Sequence, residues 1–217
     1  MNRREFSVQL AGVAGAAALS TLLPGLAFAS PGAPVEGTDY DRLKTPLTLP
    51  RTGKFEVIEF FWYGCPHCNH FEPTLEPWIA RLPADVHFRR VHVQFNARQA
   101  IHQRIYYTWE MMGLVDRMHA KTFERFHVQR KPIDSEDDML AFAKENGLDV
   151  AKVKSTWEGF GMGTRLAQAQ QLCDDYRVDG VPMIGIHGRY TTSASQGGEA
   201  GCLATTDSLI AQLRKTA

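Results

Sequence analysis

Residues 55–62 read FEVIEFFW, an aromatic and β-branched run that predicts a buried strand. Gly64 breaks the run. From Cys65 the pattern becomes that of a helix start, with Pro66 at an early helical position where its missing N–H costs nothing. Pro73 and Pro77 are expected to kink or interrupt this helix. Val86 to Phe95 (VHFRRVHVQF) predicts a second strand. Strand signals then fade from residue 97 to 163, and a 3.6-residue period takes over. Ile101, Ile105, Tyr106, Trp109 and Met112 make one stripe; Val115, Met118, Thr122 and Phe126 make another. Both read as core rather than as a cofactor box. Ser135 is an N-cap with Asp138 three residues on, and its helix carries Met139, Phe142 and Ala143 before Gly147 closes it. Asp149 caps a short helix ending near Trp157. A longer helix is expected from about Thr164 to Tyr176. Strand residues follow from Val178 to Ile186, with a hairpin turn at His187-Gly188-Arg189-Tyr190. A Ser-, Gly- and Ala-rich loop over 193–201 and a last helix from about Thr206 to Lys215 complete the chain.

The order β-α-β, helical block, α-β-β-α predicts an α/β sheet domain split by an α-helical insertion. Its parts are 39–96 and 164–217, with the insertion at 97–163 and a turn-rich linker at 30–38. Residues 1–29 have the layout of a cleavable export signal. Arg3 and Arg4 head an apolar stretch from Val8 to Leu23, then come Pro24-Gly25, and Ala27-Phe28-Ala29 stands before Ser30. As a membrane anchor that stretch would be poor, since it is rich in Gly and Ala and broken by Pro24. Asn2-Arg3-Arg4-Glu5-Phe6 also resembles a twin-arginine signal, so both that route and the Sec route fit.

Charge narrows the function. Lysine plus arginine and aspartate plus glutamate number 24 each, without a basic run, which leaves no electrostatic footprint for nucleic acid. The four cysteines sharpen it further. In an exported chain an even number suggests two disulfides, Cys65 with Cys68 and therefore Cys173 with Cys202. Two buried free thiols are the other reading of the second pair. The compartment alone favours the bridge.

A Cys-x-x-Cys on the first turn of a helix brings both sulfurs to one side, and the helix N-terminus stabilises a thiolate on the first of them. Cys65 is therefore expected to have a lowered pKa, with His67 adding a positive neighbour. A stabilised reduced form makes the disulfide an oxidant of other thiols. Asn69, where haem attachment needs histidine, excludes that use. No second Cys or His pair has finger-like spacing for a metal site. A four-residue loop would give a purely structural bridge little to stabilise.

Two further features bear on the same chemistry. Pro182, at the start of a predicted strand, is either an ordinary trans proline or a cis one that frees the Val181 backbone to pair with a peptide. Glu59 is a carboxylate inside an apolar strand, six residues before Cys65. It either faces solvent or lies beneath the disulfide as a raised-pKa relay for the Cys68 proton.

Val57-Ile58-Glu59-Phe60-Phe61-Trp62-Tyr63-Gly64-Cys65-Pro66-His67-Cys68, followed later by Gly180-Val181-Pro182, resembles the DsbA family of periplasmic disulfide oxidases. The likeness extends from about Tyr40 to the C-terminus. It implies a thioredoxin-like fold with an inserted α-helical domain and no cofactor. By it Cys65 is the exposed nucleophile, Cys68 its buried partner, Pro66 and His67 tuning residues, and Val181-Pro182 the substrate-side loop. It implies reduced exported proteins as clients and a DsbB-like, quinone-linked membrane reoxidant, with the oxidase acting as a periplasmic monomer after cleavage near Ala29-Ser30. Glu59 matches the family's buried acid. Arg90 stands where the family usually has a nearby lysine, and arginine cannot give up a proton in a relay. A disulfide isomerase or reductase, or a redox-inert peptide-binding chaperone, are the alternatives on the same motifs.

Overall fold

A computed structural model describes residues 32–216, so the expected export signal and the expected cleavage site near Ala29-Ser30 lie outside the described residues. Five strands form one mixed sheet: β1 (Asp41–Arg42), β2 (Phe55–Phe61), β3 (Val86–His92), β4 (Met183–Ile186) and β5 (Tyr190–Ser193). Their order is β1-β5-β4-β2-β3. Strand β3 runs parallel to β2, pairing Glu59 with Arg90. Helix α1 (Pro66–Ala80) supplies the crossover that a parallel pair needs. Strand β4 lies antiparallel on the other side of β2, with Phe60 opposite Met183, and turns back into β5.

Strand β2 is apolar except for Glu56 and Glu59 because both of its faces are covered. Val57 joins Phe71, Leu75 and Trp78 of α1 and Leu209 of α7 (Gly198–Arg214) on one side. Phe60 meets Tyr176 of α6 (Phe160–Tyr176) on the other, ring centroids 5.2 Å apart. Gly185 of β4 lets that tyrosine approach, since a Cβ there would stand 2.5 Å from the Tyr176 ring and 3.1 Å from Phe60. Gly185→Ala is expected to overpack this contact and cost about 1–3 kcal/mol. At roughly 2–4 °C of Tm per kcal/mol for a chain of this size, thermal unfolding checks it; an unchanged Tm would mean that Tyr176 yields freely.

Between β3 and α6 in the chain come α2 (Ala97–Met111), α3 (Val115–His127), α4 (Glu136–Glu145) and α5 (Val150–Trp157). Ile105, Tyr106, Trp109, Met118 and Thr122 from the two periodic stripes are buried, as is Met139 of α4. The caps are formed by the expected residues. Ser135 Oγ accepts the Asp138 N–H at 3.1 Å and Asp149 Oδ1 accepts the Lys152 N–H at 3.1 Å. Gly147 takes φ 66° just past the end of α4, a conformation that favours glycine.

Several elements depart from the pattern read in the sequence. Helix α1 is continuous through Pro73 and Pro77. Both prolines are exposed and four residues apart, so the carbonyls they leave without an N–H partner face solvent along one side. Strand β3 ends at His92 rather than Phe95. Helix α6 starts at Phe160, four residues earlier than expected, and α7 starts at Gly198 rather than near Thr206. The Ser-, Gly- and Ala-rich composition suggested a loop over 193–201, yet buried Cys202 ties the start of α7 to the core, as buried Met162 does for α6.

The expected Cys173–Cys202 bridge is not formed; both residues are free thiols. Cys173 of α6 packs in the cluster that contains Phe60 and Tyr176, whereas Cys202 of α7 packs with Val57 and Ile184. Val57 and Phe60 point to opposite faces of β2, so the sheet stands between the two sulfurs, beyond the reach of a disulfide. Each thiol fills the core as a small apolar group, and burial pushes both up to about 12. Among the described residues, no helix is long and apolar enough to cross a membrane.

Candidate active site

The turn from β2 into α1 carries the cysteine pair. The Cys65 N–H donates to the Trp62 carbonyl at 2.9 Å, and Cys65 caps the helix in an extended conformation, φ −85° and ψ 117°. Its Sγ accepts the Cys68 N–H at 3.4 Å, the part a serine oxygen plays at an ordinary N-cap. Pro66 occupies the first helical position, with its fixed φ already suited to it. The structure is that of the dithiol, with both cysteines free.

The two thiols are pushed apart. Cys65 is lowered to about 6, chiefly because the Cys68 thiol donates a hydrogen bond to its sulfur. Burial opposes this, while the backbone N–H groups of Cys68 and His67 and the charge of His67 add to it. Cys68 itself is thus the largest contributor, ahead of the helix N-terminus and His67. Cys68 has no exposed surface, and burial, the Cys65 sulfur and the Glu59 charge together hold its thiol well above the ordinary range. Cys65 is also less open than an exposed nucleophile would be, with only 6% of its surface accessible. His67, by contrast, is exposed.

What covers Cys65 is the loop before β4. The Val181–Pro182 bond is cis, and the Cys65 thiol donates to the Val181 carbonyl at 3.6 Å. The two motifs, separated by more than half the chain, therefore meet at one sulfur. Beside them lies a groove of about 440 Å³ lined by His67, Gly180, Val181, Pro182, Ser195 and Glu199.

Glu59 does not face solvent. It is fully buried, and its Oε2 accepts from Arg90 Nε at 2.9 Å. The Arg90 Nη2 also donates to Glu72 at 3.2 Å and Glu76 at 2.6 Å, so one guanidinium serves three carboxylates. Burial is the main reason that Glu59 is held well above the usual carboxylate range, with the neighbouring charges of Glu72 and Glu76 pushing the same way and Arg90 opposing. Glu72 is raised for the same reasons. Sequence reading missed Glu72 and Glu76. Their i, i+4 spacing on α1 shows that they share a face, but nothing local shows that this face meets Arg90.

A strand–turn–helix with Cys-x-x-Cys at the helix N-terminus, facing a cis-proline loop on the same mixed sheet, defines a thioredoxin-like thiol–disulfide oxidoreductase. Similarity to known proteins makes this more specific. Residues 56–199 match the family model of the DSBA-like thioredoxin domain. The chain is 37% identical over 182 residues to the thiol:disulfide interchange protein DsbA of Pseudomonas aeruginosa, spanning 83% of this chain and 86% of the relative. It is 36% identical to the DsbA of Burkholderia cepacia, over 80% and 85% of the two chains. The crystal structure of Pseudomonas aeruginosa DsbA superposes with a TM-score of 0.80 at 36% identity, over 83% of this chain and 94% of that one. The chain belongs to the DsbA family, and it is a thiol:disulfide oxidoreductase of oxidative folding.

Proposed function

We propose that Cys65–Cys68 is the pair that donates the disulfide, to reduced exported proteins in the periplasm. The observation that carries this reading is the unequal pair of thiols at the N-cap of α1: a Cys65 sulfur lowered to about 6 beside a Cys68 thiol held far above the ordinary range. A client thiolate attacks Cys65 Sγ, the Cys65–Cys68 bond breaks, and Cys68 leaves and takes up a proton. The client's second thiolate then attacks the client sulfur of the mixed disulfide and expels Cys65 as a stable thiolate. The client loses two electrons and two protons, and the enzyme's disulfide becomes a dithiol.

Val181-Pro182 is the docking edge in this reading, with the groove beside it open to an extended peptide. Pro66 and His67 tune Cys65. Glu59, its carboxyl raised by burial, supplies the Cys68 proton, while Arg90 stays charged and fixes its orientation. A DsbB-like, quinone-linked membrane protein takes the two electrons back, as the family resemblance implies. One copy carries the complete pair and its facing loop, so a monomer suffices. Residues 1–29 form the export signal, cleaved near Ala29-Ser30, and 97–163 form the insertion that divides the two parts of the thioredoxin-like domain.

The redox potential of the pair is the test. Equilibrated with glutathione buffers and read by thiol trapping, the enzyme should prove more oxidising than about −200 mV, above the glutathione couple of an oxidising compartment. A value below about −250 mV would make the site a reductase.

A further inference from the structure

Four of the eight histidines of the chain converge on the two residues that precede Gly64. The Tyr63 N–H donates to His92 Nε2 at 3.2 Å, and the Tyr63 carbonyl accepts from His127 Nε2 at 2.8 Å. The Tyr63 hydroxyl is 3.1 Å from His119 Nδ1. The Trp62 indole N–H donates to His102 Nδ1 at 2.7 Å. Of these imidazoles, His102 comes from α2, His119 and His127 from α3, and His92 from the end of β3. They are spread over 36 positions of the sequence, and their hydrogen bonds go to the segment before the cysteines rather than to either sulfur.

The tautomers are fixed by chemistry. Backbone and indole N–H groups only donate, so His92 must accept at Nε2 and His102 at Nδ1. Their remaining nitrogens then donate, His92 Nδ1 to the Val93 carbonyl at 2.9 Å and His102 Nε2 to Asp134 at 2.9 Å. His119 is tied through Nε2 to Glu72, 3.3 Å away. Both His92 and His102 therefore act as neutral rings, and burial lowers the pKa of each. The segment they grip lies just past the sheet ladder, where its backbone groups would otherwise lack strand partners. It leads directly into the cap: the Trp62 carbonyl receives the Cys65 N–H, and the Trp62 ring lies so close over Gly64 that a Cβ there would collide with it.

We infer that His92, His102, His119 and His127 are positioning residues for the thiol exchange, clamping Trp62-Tyr63 so that Cys65 Sγ meets the Cys68 N–H and the Val181 carbonyl. Three of the four come from the helical block, which gives that block a part in setting the chemistry of a cysteine it does not carry. The inference rests on Cys65–Cys68 as the exchanging pair. A displaced Trp62 carbonyl would carry the N-cap with it and lengthen the hydrogen bonds that stabilise the Cys65 thiolate.

The test uses the intact protein with His127→Leu, which removes the donor to Tyr63, and His127→Gln, which restores an N–H donor. Trp62→Phe removes the bond to His102 without altering any histidine. Thiolate absorbance of the reduced protein against pH gives the Cys65 pKa, and oxidation of a dithiol peptide gives the rate, both well below Tm. His127→Leu and Trp62→Phe should raise the Cys65 pKa by about half to one unit and slow oxidation by roughly 3–10-fold. His127→Gln should return both to within about twofold of the parent. If both disruptive variants lower Tm but leave the Cys65 pKa and the rate unchanged, the histidines only stabilise the fold and the inference is overturned. An inactive parent protein would instead overturn the assignment of the pair.

Discussion

Cys65→Ser is expected to abolish disulfide transfer, reducing the oxidation of a dithiol peptide by at least about a thousandfold, to the uncatalysed background. A serine oxygen at the N-cap can still accept the Cys68 N–H, so α1 should keep its start and the fold its stability. What disappears is the sulfur that stands both at the helix N-terminus and against the Val181 carbonyl. Cys68→Ser should behave differently. It leaves Cys65 as a lone thiol, and because a serine hydroxyl can still donate to the Cys65 sulfur, that pKa should stay lowered. Once coupled to a client, Cys65 would have no partner to resolve the bond. Mixed disulfides should therefore accumulate with Cys68→Ser and be absent with Cys65→Ser, as non-reducing gels would show. Equal residual activity in both variants would contradict the assigned roles.

Glu59→Gln should stabilise the protein, by about 2 kcal/mol at pH 8. Glu59 is fully buried and its carboxyl is raised to about 8, chiefly by desolvation, with Arg90 opposing and the charges of Glu72 and Glu76 adding to the rise. An acid raised by folding helps the native state below its unfolded pKa of about 4.3. That contribution is lost as pH rises through about 8, because ionisation then takes place more readily in the unfolded chain. Glutamine removes the titration while keeping an oxygen for Arg90 Nε. Arg90 retains Glu72 and Glu76, so no buried cation is stranded. The variant's advantage should grow between pH 5 and pH 9 in denaturant unfolding. A variant less stable than the parent at pH 8 would show that the Arg90 ion pair outweighs the cost of burying Glu59.

The parts of this molecule that could be read from sequence are those whose causes are local. Gly64, Cys65 and Pro66 state a strand's end and a helix's cap within three residues, and Ser135 with Asp138 does the same for α4. Failures came where a local signal was outvoted. Gly198 and Gly201 looked like loop, but Cys202 and Leu203 beyond them had a core to reach, and the helix extends to meet it. Pro73 and Pro77 looked like breaks, but the face that loses its hydrogen bonds is the wet one. Pairing Cys173 with Cys202 rested on compartment, which says nothing about which side of a sheet a helix will cover. The histidines were the least legible. Each sits in an ordinary amphipathic or apolar stretch, and only the packing of α2 and α3 against the end of β2 brings them to Trp62 and Tyr63.

An oxidant of thiols that carries spare thiols of its own risks consuming itself. Cys173 and Cys202, each pushed up to about 12, are ionised to roughly one part in a hundred thousand at neutral pH. Neither shares a face of the sheet with the other, so oxidation of one would find no internal partner. The division of the core into two apolar compartments thus keeps the redox inventory of the chain at one exchangeable pair, although its sequence contains twice as many cysteines as that pair uses.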